Sequence, residues 1–167
     1  KPNKQEMQVT LLRGIAAGMR EYAVYLPLYN GTESLAIGVA SEAKFERLAP
    51  RLAKPLIFYG TSITHGACAS RPGMVHTAIL GRRLEMPVIN IGFSGNGKMH
   101  KEVGDLMVEV DAACYIIDCL PNMNAAMVTE RCEPLVRQLR KAHPNTPILL
   151  VEDRRNAGSW LTPTRAK

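Results

Sequence analysis

From residue 55 onward, short apolar runs alternate with longer stretches of helical spacing, and that rhythm leaves few folds open. The runs at 56–59, 88–91, 114–118 and 148–151 are each only four or five residues long, rich in aliphatic and aromatic side chains. Helical spacing fills 74–84, 101–110 and 125–142, the last closed by His143-Pro144. Strands joined by helices fit together as a parallel sheet with right-handed crossovers, so the expectation is a doubly wound, three-layer α/β domain. The loops after the strands then converge on one rim, where open α/β sheets bind ligands. Those loops are 60–62, 92–97, 120–123 and 152–153, and the first three carry small or amide residues suited to holding an oxyanion.

Residues 1–40 follow a different pattern. Val24, Leu26 and Leu28 alternate with other residues before Asn30-Gly31, and Leu35, Ile37 and Val39 alternate after it. This predicts a β-hairpin, with Pro27 at an edge or bulge and 8–12 as a further strand. A lone hairpin is marginal in water, so the segment needs something to pack on. Residues 41–54, with Pro50, read as a connector.

Within the α/β part, the stretch Pro55 to Gly66 is the strongest candidate for chemistry. An apolar run ends at Tyr59, Gly60 permits a sharp turn, and Ser62 follows among Thr61, Thr64 and Gly66. A serine there points into the crevice, and a helix starting beside it offers free N–H groups to a developing oxyanion. The structural alternative is that Ser62 caps the helix.

Charge and composition narrow the function further. The net charge is +6, but Lys and Arg are scattered and no aromatics interleave with them, so nucleic acid is not an expected partner. No apolar run reaches a membrane span, and no signal peptide opens the sequence. Cys68, Cys114, Cys119 and Cys132 lack metal-ligand spacing, and no metal or other cofactor is called for. Asn30-Gly31-Thr32 fits a glycosylation sequon but reads first as a turn.

Three segments, in order, resemble the first three blocks of the SGNH (GDSL-type) hydrolases. Gly60-Thr61-Ser62-Ile63-Thr64-His65-Gly66 resembles the nucleophile block, with Thr61 where Asp is frequent. Val88-Ile89-Asn90-Ile91-Gly92-Phe93-Ser94-Gly95 resembles the second block, whose glycine N–H, matched to Gly95, donates to the oxyanion. Asp118-Cys119-Leu120-Pro121-Asn122 resembles the third, whose asparagine amide, matched to Asn122, is another donor. Leu28-Tyr29-Asn30-Gly31 resembles the end of a β-sandwich that precedes the catalytic domain in one bacterial branch.

The resemblance implies a serine esterase acting on small acyl esters, plausibly acetyl groups on carbohydrate, through a Ser62 acyl-enzyme. It allows a secreted or periplasmic bacterial protein, a compartment the residues themselves leave open. The family's late Asp-x-x-His block, which supplies the general base, is absent from this sequence. His65, His76, His100 and His143 are poor substitutes, reading as surface or cap residues. The resemblance therefore implies that 55–167 is a C-terminally truncated hydrolase domain, low in turnover and prone to associate through exposed apolar surface.

Other readings stay open. Gly95 could be only a tight turn and Asn122 only an Asx-type helix cap. Gly92 to Lys98 matches the phosphate-loop spacing G-x-x-x-x-G-K, and Asp118 could then hold a metal, but Met99 stands where a hydroxyl must reach Mg²⁺. The G-x-S-x-G elbow of ordinary α/β-hydrolases fails at Thr64 and at Asn96. A catalytically inactive binding module is a third reading.

Overall fold

The four apolar runs form one parallel sheet. In the computed structural model, which describes residues 5–154 and 161, the strands are β1 (Leu56–Gly60), β2 (Val88–Gly92), β3 (Cys114–Asp118) and β4 (Ile148–Leu150). Their spatial order is β2-β1-β3-β4. The connections carry α1 (Ser62–His65) and α2 (His76–Arg83) between β1 and β2, α3 (Lys101–Met107) before β3, and α4 (Ala125–Ala142) before β4. The chain thus steps from β1 to one neighbour and then crosses to the other side of β1. That reversal makes the carboxyl ends of β1 and β3 the switch point, where such sheets open a crevice.

Period-two alternation gives the sheet two buried faces. Ile57, Tyr59, Tyr115 and Ile117 pack with Met107 of α3 and with Leu135 and Leu139 of α4. Leu56, Phe58 and Ile116 pack on the other face with Leu80 of α2. All five residues of β1 are buried, as an apolar central strand requires. Full burial of residues such as Ile57, Met107, Ile117 and Leu139 contributes about 1.5–3 kcal/mol each.

The α4 boundaries follow from its ends. The Asn124 side chain accepts from the Met127 N–H at 2.9 Å, satisfying a donor the first turn leaves open. At the other end, His143 N–H donates to Leu139 O, and Pro144 follows. Among the described residues, no helix is long and apolar enough to cross a membrane.

The chain divides into two compact units, Lys1–Glu46 and Arg47–Lys167. The first departs from the alternation in its sequence. Residues 5–46 carry neither helix nor strand, so the hairpin expected over 22–39 and the strand expected over 8–12 are not formed. Val24, Leu26, Leu35, Ile37 and Val39, which a hairpin would gather on one face, are exposed. Alternation specifies a buried face only when something covers it, and a two-stranded ribbon is marginal by itself. Pro27 further removes one ladder donor.

If the α3–α4 face is the core, Leu139→Ala should cost about 2–5 kcal/mol in urea unfolding. The exposed Arg137→Ala, one helical half-turn away, should stay within about 0.5 kcal/mol. Equal midpoints for the two variants would contradict the packing described.

Candidate active site

Gly60, Gly92 and Asp118 stand in one register row across β2-β1-β3. Beyond that row, the chain reaches Ser62 after β1, Gly95 after β2 and Asn122 after β3. Parallel pairing thus brings the segments that follow three adjacent strands, and with them the three sequence-predicted residues, to the same rim.

Ser62 is the first residue of α1, and it does not cap the helix. Thr61 does: its backbone is extended, and its hydroxyl accepts from the Ile63 N–H at 3.3 Å. Ser62 remains partly exposed, so its hydroxyl is left for other work. Thr64 is fully buried behind it. Its hydroxyl donates to Asp118 Oδ2 at 2.9 Å, and its carbonyl accepts from Asn90 Nδ2 at 2.8 Å.

The loop after β2 is folded tightly. Phe93 N–H donates to Gly60 O at 2.9 Å, and Phe93 O accepts from Asn96 N–H at 3.1 Å and Gly97 N–H at 3.0 Å. Gly97 lies directly on the β1 turn, where an added Cβ would run into the Gly60 carbonyl. Gly95 is needed for another reason. Its φ is +72°, and an added Cβ would meet no atom within 4 Å. Backbone angle, rather than crowding, therefore requires glycine there, and it leaves the outer side of the loop open to a ligand.

Asn122 ends a 3₁₀ turn, Leu120–Asn122, whose last N–H donates to Cys119 O at 3.0 Å. It is not a cap, because Asn124 caps α4. Its Nδ2 lies 3.5 Å from Phe93 O, the outer limit of a hydrogen bond, which brings the amide to the loop that carries Gly95. An amide held this loosely can turn to a better acceptor when one arrives.

The phosphate-loop reading does not survive this geometry. A phosphate cradle needs free N–H groups at a helix N-terminus. Here the Asn96 and Gly97 N–H groups are spent on Phe93 O, and the helix begins only at Lys101. The His100 N–H donates to Tyr59 Oη at 3.0 Å. Burial pushes the Tyr59 phenol up, so it stays neutral as that acceptor.

Cys119, His76 and His143 pack against the scaffold, whereas Asp153 lies at the surface. Burial pushes the Cys119 thiol up to about 12, and its Sγ sits 3.6 Å from Tyr59 O. The His76 ring packs edge-on against Phe58. His143 Nε2 lies 2.9 Å from Val108 O, with the ring tilted against Tyr115. Asp153, after β4, is exposed and accepts from Arg154.

Sequence reading missed Asn90 as a connecting residue. Its Nδ2 reaches Thr64 O and, at 3.0 Å, Thr77 Oγ1, while its Oδ1 accepts from the Gly92 N–H at 3.0 Å. The signal was an amide inside the apolar run Val88-Ile89-Asn90-Ile91, since asparagine is depleted in strands unless its side chain has a partner.

Comparison with known proteins identifies the family and the fold. A family model for the GDSL-like lipase/acylhydrolases matches residues 53–167, and a second, describing the N-terminus of SGNH-hydrolase-type esterases, matches residues 1–45. The chain belongs to the GDSL-like lipase/acylhydrolase family. This is a family of ester-bond hydrolases, and its three-layer parallel fold is the one described above. Among solved structures, a GDSL-like lipase from Bacteroides ovatus ATCC 8483 is 41% identical with a TM-score of 0.78, over 85% of this chain and 42% of that one. The chain therefore spans less than half the length of that protein. The salicylyl-acyltransferase SsfX3 from a tetracycline biosynthetic pathway is 21% identical, with a TM-score of 0.54 over 60% of this chain and 30% of that one. The SGNH-hydrolase family esterase AlinE4 is 18% identical, with a TM-score of 0.53 over 65% and 63%. These last two share the fold. Among proteins of curated function, none matches this sequence.

The packing of this GDSL-family rim can be tested at Gly97. Gly97→Ala should destabilise the domain by about 1–3 kcal/mol, because the obstruction is backbone and cannot rotate away. Urea unfolding measures this, and an unchanged midpoint would contradict the close approach to Gly60.

Proposed function

We propose that the full-length protein is a serine esterase that transfers small acyl groups to water through a covalent Ser62 intermediate. The observation that carries this reading is the convergence of Ser62, Gly95 and the Asn122 amide at the ends of three adjacent parallel strands. In the proposed reaction, Ser62 Oγ attacks the ester carbonyl while a general base takes the hydroxyl proton. The tetrahedral intermediate collapses, the carbon–oxygen bond to the alcohol breaks, and the returned proton leaves with that alcohol. Water then attacks the acyl-enzyme by the same steps, releasing the acid and restoring Ser62.

The negative oxygen of each intermediate would be held by the Ser62 and Gly95 N–H groups and by Asn122 Nδ2. One such donor is worth about 2.7–4 kcal/mol in the transition state. An amide suits position 122 because it donates without carrying a charge that would have to be desolvated. The exposed Ile63 and Phe93, which follow β1 and β2 at this rim, offer limited apolar contact. That favours a small acyl group, acetyl foremost, and the family resemblance makes a carbohydrate alcohol the first candidate. An inactive binding module is the alternative, and the same experiment separates them.

In the full-length gene product, Ser62→Ala should abolish hydrolysis of a chromogenic acetyl ester while leaving the fold intact. Asn122→Ala should lower kcat by about 10²–10³ with little change in KM, because its bond strengthens mainly in the transition state. Wild-type protein that binds acetylated sugar without hydrolysing it would favour the binding module. Full activity in Ser62→Ala would rule out Ser62 as the nucleophile.

A further inference from the structure

We propose that Thr64 is a positioning residue that locks the nucleophile turn from both sides, and that its two anchors, Asn90 on β2 and Asp118 on β3, set where Ser62 stands. The inference rests on Ser62 being the nucleophile. Thr64 is fully buried two residues beyond Ser62. Its carbonyl accepts from Asn90 Nδ2 at 2.8 Å, and its hydroxyl donates to Asp118 Oδ2 at 2.9 Å. One residue of a four-residue helix is thus held by side chains from the strands on either side of β1.

Neither bond fits the description of a generic turn contact. A helix this short has little stability of its own, so its orientation must come from tertiary anchors. The Thr64 side chain lies over Gly60, where any Cβ would run into its hydroxyl. Asn90 also accepts from the Gly92 N–H at 3.0 Å, so the residue that holds α1 also fixes the start of the loop carrying Gly95. Asp118 ends the strand from which the chain turns toward Asn122. The clamp therefore ties the nucleophile directly to the two segments that bear the oxyanion donors. Losing either bond frees α1 to rotate about Gly60 and moves Ser62 Oγ relative to those donors. Displacement of about 1 Å at a reacting atom can cost on the order of 10²-fold in rate.

The test uses the full-length gene product and an acetyl ester, at a temperature where each variant is fully folded. Thr64→Val keeps the shape and removes the hydroxyl. It should lower kcat about 10–100-fold with KM changing less than about threefold. Thr64→Ser should restore most of kcat, because it returns the hydroxyl. Asp118→Leu should match Thr64→Val, and the double variant should be no worse than either alone, since all three break the same bond. Should Thr64→Val fail to fold, Asn90→Asp carries the test: it keeps the acceptor for Gly92, can accept from the Thr77 hydroxyl in place of donating to it, loses the donor to Thr64 O, and should show the same kcat loss. A residue that served stability alone would lower the unfolding midpoint and leave kcat per folded molecule unchanged, which would overturn the clamp. Ser62→Ala, run in parallel, separates the two claims. If it abolishes turnover while Thr64→Val and Asn90→Asp keep wild-type kcat, only the clamp fails. If it stays active, both fail.

Discussion

The rim of this domain depends on a central strand with no free side. β1 is hydrogen-bonded to β2 and β3 along its whole length and buried on both faces, so its register fixes three loops at once. A slip of one residue would turn Ile57 and Tyr59 out of one core and Leu56 and Phe58 out of the other. The apolar packing that stabilises the sheet therefore also sets the heights of Gly60, Gly92 and Asp118, and the positions of the residues that follow them.

Past the ends of the strands, apolar packing gives way to placed polar groups. Among the described residues, Thr61, Thr64 and Thr77 are buried polar side chains near the rim, and each is engaged: one caps α1, one meets Asp118, one meets Asn90. Buried hydroxyls are costly without partners, so these bonds hold the rim to one arrangement. They also free two other residues. Because Thr61 caps α1 and Asn124 caps α4, neither Ser62 nor Asn122 is committed to satisfying a helix end. Both side chains thus stand at the switch point of an α/β sheet, where ligands bind, without being spent on a helix end.

Much of this was legible in the sequence because it rests on local pattern. The central strand announces itself as Leu56-Ile57-Phe58-Tyr59 between Pro55 and Gly60, and α4 runs over 125–142 as its spacing predicts. Ser62, Gly95 and Asn122 could be placed on one rim by topology alone, which gave no indication of what holds them there. The bonds from Thr64 to Asn90 and Asp118 span 26 and 54 residues, and no spacing rule reaches that far. The backbone angle that Gly95 requires, and the crowding of Gly97 against the Gly60 carbonyl, are likewise properties of the folded loop that no sequence pattern spells out. The alternation at 22–39 shows the opposite failure. It is a strong local pattern without a described partner to cover it, and it forms no strand.

The central claim is that three strand ends build one site for a tetrahedral oxyanion. Its most direct test is a crystal structure of the full-length protein after reaction with a small alkyl fluorophosphonate, which leaves a stable tetrahedral adduct on an activated serine. The account predicts phosphorus bonded to Ser62 Oγ, with the phosphoryl oxygen about 2.7–3.1 Å from the Gly95 nitrogen and from Asn122 Nδ2. An adduct on another residue, or one on Ser62 whose phosphoryl oxygen points away from both donors, would contradict it.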